Sequence, residues 1–570
     1  MSCTTNSFPI KVAIYHPKTK PKSAKKKHYI PTLCSSSSSQ QNPLLSNFKT
    51  LKAAMKISIP TIPPSFFSAI ASVPHFTDII DPPVHPSVDP QHVFTGNFAP
   101  VDELNPTECP VIEGKIPLSL NGVYIRNGPN PRHKPLRALH FWEADGMLHS
   151  LKFSNGCATY CSRYVNTYKY KLEEEAASPV IPNFLSGFYG LLDAFRLFAF
   201  LLKIMAGQIN LMNGFGVANT SLAFIGNKLL ALYEADLPYE IKLTEEGDIE
   251  TLGRWNIDRM LFASFTAHPK FDMETKETFA FRYGRVFAPW LYFLRFDENG
   301  VKQKEVPILS IKKTCFIHDF AITRRYAIFQ ETQLVLSPFK VVMGGGQLVD
   351  YDPKHTPRIG IIPRYATSDS EMKWFHVPGL NVLHAVNAWE NDDDDEEIVL
   401  VAPNFITIEN MHDKRLKSSV EKISINMKTG KVVRSILSRK NLEFGTINTS
   451  YIGKKNRYAY FGVVDEVAKF SGIVKLDIET GKEVGRRFYG KSCFGGEPFF
   501  VAKEAEHVES DEDDGYVMSF VHDEKTGESK FLVMDAKSPE LSVMAVIKLP
   551  RRVPYGFHGL FLTKEKYIHL

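Results

Sequence analysis

Apolar and polar residues alternate in short runs through most of the chain after residue 110, and the runs reverse at acidic or glycine-bearing turns. The unit recurs at "IKLTEEGDIETLGRW" (241–255), "KFDMETKETFAFRYG" (270–284) and "LRFDENGVKQKEVPIL" (294–309). It returns at "ISINMKTGKVVRSIL" (423–437), "VKLDIETGKEVGRRF" (474–488) and "SFVHDEKTGESKFLVMD" (519–535). Period-two alternation marks half-buried strands, and Asp or Asn leading to Gly suits hairpin turns that need a positive φ. Antiparallel hairpins recurring over about 300 residues predict an all-β fold, a propeller or a large barrel. The irregular intervals predict long insertions between blades. A row of β-sandwiches is the alternative, but no linker separates such units after residue 110.

Two segments break the pattern. Residues 57–110 are proline-rich ("IPTIPPSFFSAIASVP", "DPPVHPSVDPQH", "NPTECP") and read as an extended strap, not a helix or central strand. Residues 183–216, "NFLSGFYGLLDAFRLFAFLLKIMAGQINLMNGFG", have helical periodicity and are heavily apolar. Asp193, Arg196 and Lys203 interrupt them, so the run falls short of a transmembrane helix. It suits either an amphipathic face lying in a membrane surface or a helix packed over the sheets. The acidic runs at 391–397 and 509–515 lack calcium-loop spacing and read as hairpin tips. "MGGGQ" (343–347) has no following Lys-Ser/Thr and reads as a loop, not a phosphate cradle.

Charge changes the picture at the N-terminus. Of 570 residues, the first 77 hold ten lysines, no arginine and no acidic residue, so the net +5 hides a body near −5. A mildly acidic body argues against nucleic-acid binding. The leader is rich in Ser and Lys and lacks a secretory apolar core, as a transit peptide does. Dominant Ser and absent Arg point to a plastid address over a mitochondrial one. The expected division is therefore a leader at 1–77 and one folded domain at 78–570. The seven cysteines are scattered, with Cys157 and Cys161 the only close pair, and read as reduced thiols.

Four of the eighteen histidines lie in apolar, strand-like settings: His268 ("SFTAHPKF"), His318 ("CFIHDFAI"), His384 ("NVLHAVNAWE") and His558 ("VPYGFHGLFL"). One such histidine is ordinarily a satisfied core residue. Four on separate hairpins, at intervals of 50, 66 and 174 residues, suit a shared metal if the strands converge on one axis. Glu234 ("LLALYEADLPY"), Glu443 ("RKNLEFGTIN") and Glu497 ("CFGGEPFF") are placed to accept distal imidazole N–H groups, or to make only local strand-end hydrogen bonds.

These residues fall within a longer pattern. "FAPVDELNPTECPVIEGKIPLSLNGVYIRNGPNP", "ALYEADLPY", "FTAHPKFD", "FIHDFAIT", "HAVNAWE", "GGEPFFVA" and "RRVPYGFHGLF" are among its carriers. From about residue 78 to the C-terminus the sequence resembles the carotenoid cleavage oxygenases, above all the plant plastid carotenoid cleavage dioxygenase 4 group. The resemblance implies a seven-bladed β-propeller with a helical dome over the iron and substrate face. It implies a non-haem Fe(II) held by His268, His318, His384 and His558, with Glu234, Glu443 and Glu497 behind them. One departure is "HFWEADGM" (140–147), where relatives more often read H-x-F-D-G-D-G-M. It alters bulk near the first blade and leaves the ligand set intact.

The implied reaction is cleavage of a conjugated C=C bond of a carotenoid or apocarotenoid by O2 into two carbonyl products, at 9,10(9',10') or, alternatively, at 7,8(7',8'). No catalytic side chain beyond the iron centre is expected. Forty-one phenylalanines make an aromatic-lined tunnel easy to supply. The 183–216 segment would set the tunnel mouth on plastid membrane or plastoglobule lipid. Retinoid-type isomerohydrolysis, stilbene cleavage and a non-catalytic binding propeller are the competing readings.

Overall fold

The structure, a computed structural model, describes residues 84–568 apart from 136, 189, 258–262, 285–286, 338–339, 342–347, 392–393, 411–415, 467 and 504–509. The leader at 1–77, the "MGGGQ" stretch and residues 392–393 at the first acidic tip therefore lie outside the described residues.

Most of the described strands form seven antiparallel blades, the last two joined in one ten-stranded sheet, and Leu334–Leu336 pairs with Val349–Tyr351 as a separate two-stranded hairpin. Blade 1 sets Leu104–Cys109, Cys157–Tyr164, Gly146–Ser154, Gly122–Pro129 and Gly559–Thr563 side by side. Blades 2 to 7 follow in chain order at 221–254, 270–308, 320–376, 387–438, 442–488 and 499–548. Cys493–Gly495 bridges blades 6 and 7. The ring is closed from both chain ends. Gly559–Thr563 pairs with Gly122–Pro129 in blade 1, and Val111–Gly114 pairs with Val543–Lys548 in blade 7. Such closure leaves only short, protected sheet edges.

All six sequence-read hairpins are present. Gly247, Gly300, Gly430, Gly481 and Gly527 hold φ between +68° and +91° at five of their turns, and Lys276 takes φ +57° at the sixth. Between blades, apolar faces interlock. Phe279, Phe281 and Phe293 of blade 3 share a cluster with Phe320 and Phe329 of blade 4, whose rings stack at 5.3 Å. Each such buried ring contributes roughly 1.5–3 kcal/mol.

The proline-rich strap is less uniform than its composition suggests. Leu104–Cys109 is an edge strand, where Pro106 costs no ladder bond that a central strand would need. Pro90–Val93 is a short helix, because Asp89 caps the Gln91 amide and Pro at the first helical position is already set for helical φ.

The apolar 183–216 segment is helical over a shorter span than its periodicity predicts. After helix α1 (Tyr168–Ala176), helix α2 covers only Gly190–Met205, and Leu211–Asn213 is a single 3-10 turn. Gly207, at φ +72°, stops α2, with Gly207 N–H donating to Ile204 O and Gln208 N–H to Lys203 O. Helix α1 is anchored by Lys169, buried between Asp145 (2.9 Å) and Glu173 (2.6 Å). Among the described residues no helix is long and apolar enough to cross a membrane.

Candidate metal centre

Each blade supplies one residue to a single cluster. His268, His318, His384 and His558 stand one to three residues before the first strand of blade 3, 4 and 5 and the last-formed strand of blade 1. Glu234, Glu443 and Glu497 come from blades 2, 6 and 7. His558 still takes part in the blade 1 ladder, its carbonyl accepting from Asn127 N–H at 3.0 Å, so its ring is aimed from the very end of that strand.

The four imidazoles offer ligand atoms that all lie within 4.8 Å of one another. His268 Nε2 is 3.1 Å from His318 Nε2, which is 3.2 Å from His384 Nε2. Behind them, His384 Nδ1 donates to Glu443 Oε2 (2.9 Å) and His558 Nδ1 to Glu497 Oε1 (2.8 Å). His318 Nδ1 is in direct contact with the Glu234 carboxylate. Glu443 Oε2 also accepts the Phe444 amide, and Glu497 Oε2 accepts the Gly559 amide, so both carboxylates are held by backbone as well.

This arrangement fits a cation. A neutral imidazole whose Nδ1 carries the proton presents a bare lone pair at Nε2. Glu443 fixes that tautomer at His384 and Glu234 favours it at His318, so facing nitrogens 3.2 Å apart would repel unless a positive ion sat between them. Burial, reinforced by the neighbouring imidazoles, pushes His268 and His384 well below the ordinary histidine range, which keeps them neutral. At His318 burial lowers the value, but the carboxylates of Glu234, Asp319 and Glu443 together outweigh it and raise it. Burial pushes Glu443 up to about 8, so its ionised form needs nearby positive charge. Neutral imidazoles suit divalent iron, and four of them without thiolates differ from the usual closed structural zinc site.

The cluster opens into a cavity of about 1070 Å³. His318, His384, His558, Glu234 and Glu443 border it, together with Trp142, Phe184, Tyr233, Trp290, Phe316, Phe444 and Phe557. That volume lies at the upper limit of the usual ~300–1,000 Å³ for small-molecule sites. It is room for a long apolar molecule.

Several residues here carried no sequence signal. Phe444 sits at φ +51°, a rare conformation for a bulky residue, and its ring lies 5.1 Å from His384 and 4.7 Å from His558. The Tyr283 hydroxyl donates to Ile317 O (2.5 Å) and accepts from Ile317 N (3.0 Å), pinning the chain just before His318. The "HFWEADGM" departure lies at the cavity wall: Trp142 lines it, and the Glu143 carboxylate accepts the amides of Leu185 and Ser186, both at 2.6 Å. Among the described residues the five cysteines are free, as expected, and none belongs to the cluster.

The family model described as retinal pigment epithelial membrane protein matches residues 98–563. The chain belongs to this family. It is the family of the carotenoid cleavage dioxygenases, non-haem iron oxidoreductases that incorporate O2, and the chain is an enzyme of that kind. A probable chloroplastic carotenoid cleavage dioxygenase 4 of Arabidopsis thaliana is 52% identical over 515 residues, spanning 89% of this chain and 86% of the relative. A chromoplastic zeaxanthin 7,8(7',8')-cleavage dioxygenase of Crocus sativus is 49% identical over 369 residues, 63% of this chain and 99% of the relative. In fold, the chain matches a mutant of Synechocystis apocarotenoid oxygenase with TM-score 0.70 at 24% identity, covering 84% of this chain and 100% of that one. Pseudomonas brassicacearum lignostilbene dioxygenase matches with TM-score 0.71 at 23% identity, covering 84% and 99%.

Proposed function

We propose that this dioxygenase uses Fe(II), held by His268, His318, His384 and His558, to cleave one conjugated C=C bond of a carotenoid or apocarotenoid. The carrying observation is the meeting of four histidine ligand atoms, three of the rings backed by carboxylates, at the wall of a large aromatic cavity. A ferrous ion in that position supplies the binding and activation of O2. The balance is simple: the C=C and O=O bonds break, two C=O bonds form, and no proton is transferred. Glu234, Glu443 and Glu497 therefore act as holders of Nδ1 protons and ring orientation, with no role as acid or base. The aromatic walls exclude water and hold a polyene by its faces. Phe444, wedged against two of the imidazoles, limits how the polyene lies beside the centre.

Cleavage at 9,10(9',10') is our first reading, the activity named for a Crocus sativus relative 38% identical over 505 residues. Cleavage at 7,8(7',8') is the second, favoured by the higher identity of the zeaxanthin-cleaving relative. Iron-loaded protein incubated with β-carotene, zeaxanthin and an apocarotenal, with products identified by mass, separates the two. No carbonyl product from any of the three would overturn the reading.

Delivery of such a substrate calls for lipid. Helix α2 turns Phe195 (63% exposed), Phe198 (59%), Leu201 and Met205 outward, while Phe200 packs inward with Ile181 and Ile209. Segments on both sides of α2, among them Phe184, Leu185, Leu211 and Phe215, line the cavity. Peripheral contact through α2 with membrane or plastoglobule lipid would place the cavity beside dissolved carotenoid. Relatives named chloroplastic and chromoplastic, and the acid-free leader, support a plastid location with residues 1–77 as transit peptide.

A further inference from the structure

The lead-in segments that carry the histidines have no ladder bonds to one another, so something else must fix the spacing between neighbouring ligands. Asp319, next to His318 and 4% exposed, reaches both ways around the ring. Its Oδ2 accepts the amide of Ala385 at 2.9 Å, and Ala385 directly follows His384 on blade 5. Its Oδ1 pairs with Lys270 Nζ at 2.7 Å, two residues after His268 on blade 3, and also accepts the Phe320 amide at 2.7 Å. One carboxylate thus links the chain beside three ligands on three consecutive blades, through the Phe320 and Ala385 amides and the Lys270 side chain. The two ligand pairs it spans, His268–His318 and His318–His384, are the pairs whose Nε2 atoms stand at 3.1 and 3.2 Å.

We propose that Asp319 is a positioning residue for the metal centre, a latch that sets the separation of three of its four imidazoles, with Lys270 as its charged partner. The carboxylate suits this task as an amide would not. Each of its two oxygens faces a donor, one an ammonium and one an amide N–H, and only an acceptor on both sides satisfies both. Asparagine would turn its NH2 toward one of them and break one tie. Asp319 is buried while Lys270 is half-buried, so loss of the ammonium would leave the carboxylate buried without its charged partner.

This latch rests on the reading of His268, His318 and His384 as iron ligands and governs how tightly the centre holds its metal, whatever polyene is cleaved. The test is the rate at which a ferrous chelator strips iron from iron-loaded protein, read beside the melting temperature of the metal-free form and the visible spectrum of the cobalt-loaded form. Asp319→Asn should release iron at least about 10-fold faster than wild type, within the range typical of lost outer-shell partners. It should also shift the cobalt bands. Lys270→Met, which leaves the Ala385 bond in place, should give a smaller acceleration, and Lys270→Arg should restore the wild-type rate. The Lys270 pair keeps the test decisive if Asp319→Asn fails to fold. A folded Asp319→Asn protein with wild-type release and unchanged cobalt bands would overturn the proposal, even with a lowered melting temperature. So would Lys270→Met releasing iron as slowly as wild type.

Discussion

Glu497 grips His558 twice: its Oε1 accepts from the imidazole Nδ1 at 2.8 Å, and its Oε2 accepts the following amide, of Gly559, at 3.0 Å. Glu497→Gln keeps the shape but exchanges one acceptor for an NH2 that faces an N–H. All four imidazoles remain, so the variant should bind iron weakly and lose roughly 10–100-fold in activity. Iron per chain and the rate of polyene absorbance loss read the two effects.

Tyr283 acts on the same centre through the backbone. Tyr283→Phe removes the one hydroxyl that serves both the N–H and the C=O of Ile317, beside His318. An unsatisfied buried polar group costs about 1–3 kcal/mol. Chemical denaturation of the metal-free protein should show a loss of that size, and iron affinity should fall with it.

Glu143 gives a pH signature away from the metal. Burial pushes its carboxyl from 4.5 up to about 7, against the opposing bonds from Ser186 and Leu185. The folded state then keeps this proton to higher pH than the unfolded state, so folded stability falls as pH rises from about 4.5 to 7 and levels off above. The loss across that window is about 3 kcal/mol, since each tenfold change in proton affinity corresponds to about 1.4 kcal/mol. Glu143→Gln cannot titrate. The stability difference, wild type minus variant, should therefore shrink across that window, and a difference independent of pH would contradict the assignment.

Phe195→Glu with Phe198→Glu tests the lipid face. Both rings are exposed, so the melting temperature should barely move, since surface changes usually stay within about 0.5 kcal/mol. Flotation with vesicles of plastid-type galactolipid should drop sharply. Unchanged flotation would assign the outward face of α2 some other role.

The sequence carried the hairpins because each has its own period and its own turn residue, as Gly430 and Gly481 show. It carried the four histidines because each interrupts an apolar run. What it could not carry were relationships between distant segments. Nothing near Asp319 marks it as the partner of both Lys270 and Ala385, 49 positions before it and 66 after. Phe444 looks like any strand phenylalanine until its backbone is seen at φ +51°. Blade closure by Gly559–Thr563 on Gly122–Pro129 is likewise a long-range pairing without local cause. For α2, periodicity overran the true end because the apolar residues after Gly207 serve elsewhere: Leu211 and Phe215 line the cavity and Ile209 packs with Ile181 and Phe200.

The central claim, that four histidines gathered from four blades hold the iron that cleaves the polyene, is tested most directly at His384. The measurement is iron per chain together with 18O incorporation into the carbonyl products under 18O2, for wild type and for His384→Ala with its fold verified by circular dichroism. Wild type should hold close to one iron and put labelled oxygen into both products, while His384→Ala loses most of the iron and all of the cleavage. A well-folded His384→Ala protein with full iron and full labelled product would contradict the account.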